Sequence, residues 1–298
     1  MLNCNTASST DIMRKSKIAT IGFFDGVHKG HQYLFEHLRK EADERGLEPL
    51  IVTFDTHPRA VLQSDYMPQI LTSLPEREAL LKEYGEVLVL PFEEVQPLTA
   101  AQFMEYLRDE QDVAVILMGY DHRFGSDKLT RIQDYRRLAQ SLDMEIVSQT
   151  EFVEGEWHVS STEIRQALMN GNILVANELL GRPYAIVGKV VHGKGMGRTI
   201  GFPTANIEPH DPHKIIPRRG VYVARVNTPT INDALAFVNI DKNGIIEAHI
   251  PSFKGDLYGA QLKLRFVRFL REERQFSTME DLKEQIKEDI DSIRRQGA

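Results

Sequence analysis

Short apolar runs alternate with amphipathic segments through residues 18–149, and this pattern is typical of a parallel sheet covered by helices. Capping-box spacing marks two helix starts, Ser73 with Glu76 and Thr99 with Gln102. The predicted order is βαβαβαβαβ, and open sheets of this kind bind ligands beyond the carboxyl ends of their strands. The predicted strands cover residues 18–24, 50–54, 87–90, 113–118 and 145–148.

The pattern changes near residue 182. Two predicted helices, 161–169 and 172–180, are followed by Arg182-Pro183, which breaks the helical pattern. Apolar β-type runs separated by glycine, proline and polar clusters then predict an antiparallel barrel or sandwich, with a closing helix from about residue 277. The predicted strands of this half cover residues 185–191, 221–226, 235–240, 245–250 and 261–269. Because 298 residues exceed the usual length of one domain, we predict an α/β domain over 18–182 and a β domain over 183–298.

Composition limits the partners of the chain. The 36 basic and 43 acidic residues give a formal net charge of −7, which argues against nucleic acid as the main partner. Cys4 is the only cysteine, so a disulfide or a cysteine metal site within one chain is excluded and a reducing cytoplasm fits. Residues 1–17 lack the apolar run of a signal peptide, and no apolar segment approaches the ~20 residues of a membrane helix. We therefore expect a cytoplasmic protein without a membrane partner, whose oligomeric state does not follow from the sequence.

The segment I-G-F-F-D-G-V-H-K-G-H-Q joins the first predicted strand to the first helix. His28 and His31 share one helix face, at the end where unpaired N–H groups and the helix dipole favour a phosphate. Gly30 leaves room for an approaching phosphate, and Asp25-Gly26 supplies the sharp turn out of the strand. Phe24 is a further candidate for ATP binding. The segment therefore predicts a nucleotide pocket.

Two further segments, T-F-D-T-H-P and M-G-Y-D-H-R-F-G, end the second and fourth strands at the same predicted sheet edge. Their hydroxyl, imidazole and aromatic groups suit a flat ring system. An alternative is that His57 is a turn residue and that Tyr120 and Phe124 only pack. The candidates for binding the ring are Thr53, Phe54, His57, Pro58, Tyr120, Asp121 and Phe124.

The segment S-S-T-E-I-R opens a later helix with hydroxyl groups that can hold phosphate oxygens. Ser161 and Thr162 are the candidates for this role. Arg165 lies four residues after Ser161, on the same face, where it can cover a leaving pyrophosphate. The alternative is that Ser160 and Glu163 form a capping box without any ligand.

The β half contains a glycine-rich loop followed by P-T-A-N. Backbone amides of such a loop curl around phosphates, although no Walker loop is present. The oxygens of Thr204 and Asn206 are hard ligands suited to Mg²⁺ bound by nucleotide phosphates. Glu247 shares a strand face with His249 and can act as a general base, or it is simply a solvated side chain. The glycines expected to bind ATP phosphates are Gly193, Gly195, Gly197 and Gly201.

In this order, F-D-G-V-H-x-G-H, T-F-x-x-H-P, S-S-T-x-I-R and G-F-P-T-A-N resemble the bifunctional bacterial riboflavin kinase/FMN adenylyltransferase family, also called FAD synthetases. The H-x-G-H alone resembles the signature of the nucleotidylyltransferase superfamily. The resemblance implies an N-terminal Rossmann-like domain that makes FAD and pyrophosphate from FMN and ATP. It also implies a C-terminal riboflavin-kinase β-barrel that makes FMN and ADP from riboflavin and ATP, both steps with Mg²⁺.

The resemblance also implies residue roles. The ATP of the first reaction would be served by Asp25, His28, His31, Ser161, Thr162 and Arg165, and the flavin by the candidates above. Thr204 and Asn206 would be the metal positions of the kinase and Glu247 its base.

The kinase half departs from the family between Asn239 and Glu247, where this chain has the short sequence N-I-D-K-N-G-I-I-E. Because the longer loop of the family is absent here, we expect the kinase half to bind the flavin more weakly. Two alternatives therefore stay open, an FAD synthetase with a weak or inactive flavin-binding kinase-like module, and a non-catalytic flavin-dependent regulator.

Overall fold

The computed structural model describes residues 16–63, 65, 67, 69–119, 122–149, 153–154, 157–193, 197, 201–274 and 276–295. They form two compact units, each built from separated stretches of chain. The first unit takes its described residues from Met1–Phe23, His31–Asp65 and Glu78–Glu151. The second takes them from Phe24–Gly30, Tyr66–Arg77 and Phe152–Ala298.

The first unit contains a parallel five-stranded sheet, which confirms the predicted α/β class. The first strand lies at the centre and is buried almost throughout, and three of its five residues, Ile18, Ala19 and Ile21, are apolar. It ends at Ile21 rather than at the predicted residue 24, because Phe24 has a φ of 53° and cannot continue a strand. The sheet order is β3-β2-β1-β4-β5, with β1 Lys17–Ile21, β2 Glu48–Phe54, β3 Glu86–Leu90, β4 Val113–Met118 and β5 Glu145–Ser148.

Helices connect these strands and cover the sheet. Both predicted capping pairs form: the Thr99 hydroxyl accepts from the Gln102 N–H while the Gln102 side chain accepts from the Thr99 N–H, and Glu76 accepts from the N–H of Ser73 at 2.8 Å. The helices up to residue 141 are α1 Lys29–Arg45, α2 Pro58–Leu62, α3 Leu74–Leu81, α4 Phe92–Val95, α5 Ala100–Gln111 and α6 Ile132–Ser141.

The second unit contains a closed antiparallel barrel, which decides between the predicted barrel and sandwich. One barrel strand, β9, was not among the predicted strands and carries the P-T-A-N residues. The barrel order is β10-β11-β12-β9-β8-β13, with β8 Ala185–Val191, β9 Thr204–Pro209, β10 Gly220–Asn227, β11 Ala234–Ile240, β12 Ile246–His249 and β13 Gln261–Arg271. A separate two-stranded pair is formed by β6 Val153–Glu154 and β7 Trp157–His158.

Two helices that precede the predicted domain boundary share the core of the barrel. They are α7 Ser161–Met169 and α8 Ile173–Leu180. Their buried residues belong to one apolar cluster with barrel residues such as Phe266. The Asn177 amide also donates to the Phe266 carbonyl at 2.9 Å and accepts from the Tyr184 N–H at 2.7 Å. Residue 182 therefore lies within the second packed unit and not at its border. The functional division into 18–182 and 183–298 stays a prediction.

The predicted closing helix is α9, Met279–Arg295. Its Ile290 and Ile293 pack on Val223 and Phe237 of the barrel. No helix in the described part of the chain combines the length and apolarity needed to cross a membrane.

Candidate active sites

The turn between β1 and α1 has an unusual backbone. Phe24, Gly26 and Val27 have φ values of 53°, 81° and 41°. Val27 is β-branched, so a positive φ there is strained and persists only where the surroundings hold it. A Cβ at Gly26 would lie 2.8 Å from Cδ1 of Leu71, so glycine is required there for space as well as for φ. This turn places His28 just before α1.

The Asp25 carboxylate is buried and fully engaged by protein groups. It accepts from the Leu71 N–H at 3.0 and 2.9 Å, from the Thr72 N–H at 3.0 Å and from the Thr72 hydroxyl at 3.1 Å. It also forms an ion pair with Arg165. Although the sequence predicts Asp25 for ATP, the geometry gives its carboxylate the task of anchoring the turn.

The S-S-T-E-I-R segment is locked onto the same turn. The Ser161 hydroxyl donates to the Asp25 carbonyl at 2.8 Å, and the Arg165 Nε donates to the Gln69 carbonyl at 2.5 Å. Ser160 caps α7 by accepting from the Glu163 N–H, which is one of the two hydrogen bonds of the capping box in the alternative interpretation. Thr162 is exposed. The second unit thus brings Asp25, Ser161 and Arg165 together.

His28 is buried beside two cations. Burial, and then the positive charges of Arg182 and Arg165, lower the pKa of His28 to about 3. The imidazole is therefore neutral at pH 7 and can donate a hydrogen bond without carrying a charge. A Cβ at Gly30 would lie 3.2 Å from Nδ1 of His28 and 3.3 Å from the Val159 carbonyl oxygen, so the missing side chain leaves room for the imidazole ring.

Arg182 is a residue of this region that sequence reasoning missed. Its guanidinium donates to the carbonyls of Val27 at 3.0 Å and Leu180 at 3.1 Å, and also to that of Gly26. In the sequence, Arg182 stands out only as part of a helix break before Pro183. A cation directly after a helix end is the signal that was available, because such side chains often bind carbonyls.

The first unit holds part of the predicted flavin segments. The Thr53 hydroxyl donates to the Phe23 carbonyl at 3.2 Å, and the Phe23 and His57 rings meet edge-on at 4.8 Å. Nδ1 of His57 accepts from the Arg59 N–H at 3.1 Å, which makes His57 the N-cap of α2, and Pro58 is the first residue of that helix. Nδ1 of His57 therefore bonds the local backbone, as expected if His57 is a turn residue.

Two predicted flavin residues, Phe54 and Phe124, also pack against other aromatic rings. The Phe54 ring is buried and meets Phe92 edge-on at 5.2 Å. The Phe124 ring lies 4.9 Å from that of Tyr135, whose hydroxyl accepts from the Phe124 N–H at 3.0 Å and donates to its carbonyl at 2.6 Å. Tyr120 and Asp121 lie outside the described residues. His31 is the third residue of α1, with its ring 6.4 Å from that of Phe35.

The barrel brings the predicted kinase residues together by strand register. Asn206 on β9 lies directly opposite Glu247 on β12, and Thr204 lies opposite His249. Glu247 and His249 are half-buried on one face, while their neighbours Ile246 and Ala248 are buried on the other. Nδ1 of His249 lies 2.9 Å from the Pro203 carbonyl oxygen. One face of β9 and β12 thus carries a hydroxyl, an amide and a carboxylate.

Two glycines of the glycine-rich loop, Gly193 and Gly197, lie against the side chains of Asn206 and Thr204. A Cβ at Gly193 would overlap the Asn206 amide, and a Cβ at Gly197 would overlap the Phe202 carbonyl oxygen. Gly201 has a φ of 84° and open space around it, and Gly195 lies outside the described residues. The backbone at Gly193 and Gly197 can approach the site this closely only because these two residues lack side chains.

The short connection before Glu247 is a tight turn. The Asp241 carboxylate accepts from the N–H groups of Asn243 and Ile245, both at 2.8 Å. The turn joins β11 to β12 with Asn239 directly opposite Glu247. The shorter sequence therefore leaves the position of Glu247 in the barrel intact.

The donor set fits a metal that arrives with a nucleotide. Among the described residues there is no group of three or more His, Cys, Asp or Glu side chains that could hold a metal by themselves. Mg²⁺ at nucleotide sites is usually held by one or two protein oxygens together with phosphates and waters. Thr204 and Asn206 supply oxygens of this kind, and the carboxylate of Glu247 lies beside them.

Comparisons with known proteins cover both halves of the chain. The FAD synthetase family model matches residues 11–163, and the riboflavin kinase family model matches residues 180–296. The chain is 35% identical over 283 residues to a bifunctional riboflavin kinase/FMN adenylyltransferase of Escherichia coli, covering 91% of this chain and 90% of the relative. It is 32% identical over 286 residues to the protein of the same name from Haemophilus influenzae, covering 92% of both.

A solved structure also matches nearly the full length. It is described as the crystal structure of a macrolide-efflux protein from Streptococcus pneumoniae, with a TM-score of 0.84, 32% identity and 94% of both chains covered. The likeness extends through both halves of the fold.

Proposed function

The chain belongs to the family of bifunctional riboflavin kinase/FMN adenylyltransferases, and we propose that it divides the two reactions of that family between two separate ATP sites. It phosphorylates riboflavin to FMN and adenylylates FMN to FAD, with ATP as the second substrate of both reactions. The observation that carries this function is the presence of both matched families along one chain, residues 11–163 and 180–296.

For adenylyl transfer we assign the nucleotide to the turn before α1 and to the start of α7. No protein nucleophile is needed, because a phosphate oxygen of FMN attacks the α-phosphorus of ATP and pyrophosphate leaves. His28, which is neutral, and His31 would donate hydrogen bonds to oxygens that gain negative charge as the bond to pyrophosphate breaks. Asp25 and Arg165 act by holding the strained turn in place. Phe24, Gly30, Ser161 and Thr162 complete the ATP residues in this proposal.

The flavin side of this reaction is assigned to the T-F-D-T-H-P and M-G-Y-D-H-R-F-G segments. The edge contact between Phe23 and His57 supports an aromatic surface there. Phe54 is part of the core and the half-buried Phe124 packs against it, so both would shape the wall rather than stack on the flavin. The proposed flavin residues remain Thr53, Phe54, His57, Pro58, Tyr120, Asp121 and Phe124.

For the kinase reaction we assign the base to Glu247. Its carboxylate would take the proton of the riboflavin hydroxyl as that oxygen attacks the γ-phosphorus of ATP and ADP leaves. Thr204 and Asn206 would hold Mg²⁺, which when bound neutralises phosphate charge. The amides of the glycine-rich loop would hold the phosphates of ATP. The direct pairing of Asn206 with Glu247 supports this assignment because it places a base beside a metal ligand.

We assign the transferase to residues 18–182 and the kinase to 183–298, while part of the first range packs with the barrel. A cytoplasmic location is supported by the use of ATP and by the single cysteine.

The test starts from each flavin separately. The purified protein is incubated with ATP and Mg²⁺ and either riboflavin or FMN, and riboflavin, FMN and FAD are separated by chromatography. We expect FAD from both starting flavins, with transient FMN when riboflavin is the substrate. Reactions with EDTA in place of Mg²⁺ test the metal.

The other outcomes identify the alternatives. FAD from FMN but not from riboflavin would mean an inactive kinase half, and flavin binding without turnover would mean a regulator. Full activity in EDTA would contradict the magnesium proposal alone.

A further inference from the structure

Lys214 places a buried ammonium group in the second unit, in the segment between β9 and β10. Its Nζ donates to the Leu71 carbonyl at 2.6 Å and to the Glu76 carboxylate at 2.6 Å. The side chain is 4% exposed, and its ammonium lies 5.1 Å from the centre of the Tyr184 ring. A buried ammonium is costly unless acceptors surround it, so these contacts determine where the side chain can lie.

The peptide groups of Leu71 connect Lys214 to the turn before His28. The Leu71 N–H donates to both oxygens of Asp25, and the Leu71 carbonyl accepts from Lys214. The Leu71 side chain also lies against Gly26, in the same turn. The segment carrying Leu71 is thus bonded on one side to the turn and on the other to Lys214.

Backbone hydrogen bonds also join the Lys214 segment to the Leu71 segment. The Ile70 N–H donates to the His213 carbonyl at 2.8 Å, and the Ile215 N–H donates to the Ile70 carbonyl at 3.0 Å. The segment around Lys214 therefore lies alongside the segment around Leu71 as a short strand-like pair. Lys214 adds a side-chain hydrogen bond to this pair, from its ammonium group to the Leu71 carbonyl.

Glu76 is the charged group with the strongest effect on the Lys214 ammonium. Glu76 accepts from Ser73 as well as from Lys214, and Asp25 and Arg182 are the next charged groups that act on the ammonium. Burial lowers the pKa of Lys214 while Glu76 opposes that shift. Removing the ammonium would leave a carboxylate and a carbonyl without this donor.

We propose that Lys214 is a positioning residue for adenylyl transfer, which holds the Leu71 segment against Asp25 and thereby holds the turn that carries His28. The inference rests on the proposed function of His28. It means that a residue of the kinase half of the sequence supports the transferase reaction. A small displacement of a reacting group can lower turnover about 100-fold, so a loosened turn affects kcat more than substrate binding.

The test compares three variants with a control in the full-length protein. Lys214→Met removes the ammonium and keeps the apolar length of the side chain. Glu76→Gln removes the paired charge but leaves the bond from Lys214 to the Leu71 carbonyl. The double variant removes both charges, so that no unpaired carboxylate remains. Lys263→Met changes an exposed lysine of the same barrel and is the matched control.

The readouts are kcat and KM for FAD formation from FMN, kcat for FMN formation from riboflavin, and the thermal unfolding midpoint. We expect Lys214→Met to lower kcat of FAD formation at least tenfold, with KM for ATP and the kinase kcat within about twofold of the parent. The double variant should recover thermal stability but not kcat, because the Leu71 carbonyl still lacks its donor. Glu76→Gln and Lys263→Met should retain near-parent FAD formation.

Several results would overturn the proposal. Parent-like FAD formation by Lys214→Met would do so, and so would an equal loss of both activities that follows the loss of folded protein. Recovery of kcat in the double variant would show that only the buried charge mattered. If Lys214→Met does not fold, kcat of FAD formation by the double variant decides: a low value supports the proposal and a parent-like value overturns it. A parent that makes no FAD from FMN would instead overturn the proposed function.

Discussion

Asn206 and Glu247 are direct cross-strand partners between β9 and β12, so an amide oxygen and a carboxylate project from neighbouring positions on one face of the barrel. Directly opposed residues in an antiparallel pair have Cβ atoms about 5 Å apart. The spacing suits a base that acts next to a metal held by phosphates. Gly193, in the loop that we propose binds phosphates, lies against the same amide.

Replacing Glu247 by Gln should eliminate FMN formation from riboflavin. The amide keeps the shape of the side chain but cannot take the proton of the attacking hydroxyl, an effect typically worth about 10² to 10⁴ in rate. FAD formation from FMN should be unchanged. Glu208→Gln, an exposed carboxylate on β9, is the control. Equal kinase rates in the parent and Glu247→Gln would show that Glu247 is not the base.

Replacing His28 or His31 by Ala should each remove most FAD formation from FMN. Loss of one preorganised donor typically lowers turnover by about 10² to 10³. The kinase reaction should continue at nearly the parent rate, as measured from riboflavin. His37→Ala, on the same helix α1 and paired with Glu41, is the matched control. FAD formation near the parent rate in either variant would contradict the assignment.

His28 should stay neutral throughout the physiological range. Its pKa in the folded chain is about 3, against an ordinary value of 6.5, and Arg182 is one cause. In NMR of protein labelled at histidine carbons, its resonance should not titrate between pH 5 and 8. Arg182→Met should move the pKa upward, because a nearby positive charge is removed. A His28 resonance that titrates near 6.5 in the parent would contradict the burial argument.

The same pKa predicts an acid dependence of stability. As pH falls below 6.5 the unfolded chain binds a proton at His28, while the folded chain does so only near pH 3. The folded state therefore loses stability between these values, by at most about 1.4 kcal/mol per pH unit. His28→Gln should lose less stability than the parent between pH 6 and 4, as measured by thermal unfolding. Identical acid dependence would argue against a buried neutral imidazole.

A fragment that begins at residue 184 should be less stable than one that begins at residue 153. The shorter fragment lacks α7 and α8, so it exposes the apolar surface around Tyr184 and Phe266 and loses the hydrogen bonds of Asn177. Thermal unfolding followed by circular dichroism should give a lower midpoint for 184–298. Equal midpoints would show that these helices add nothing to the stability of the barrel.

Much of the fold follows from local sequence patterns. The strands β4, β5 and β8 were predicted at their observed bounds, because buried strands form compact apolar runs between turn residues. The alternation through Ile246, Glu247 and Ala248 likewise predicted which face is buried. The strand at β9 was missed, since glycine and proline beside it conceal its short polar pattern.

The sequence alone determined the order of the elements, the spacing of His28 and His31 and the face of Glu247, because each depends on periodicity over a few residues. Only the tertiary structure decided that Asp25 bonds Leu71, 46 residues away, and that Asn206 lies opposite Glu247. It also decided that α7 and α8 pack with the barrel. Such pairings depend on long-range burial and register, which no local pattern of apolar and polar residues specifies.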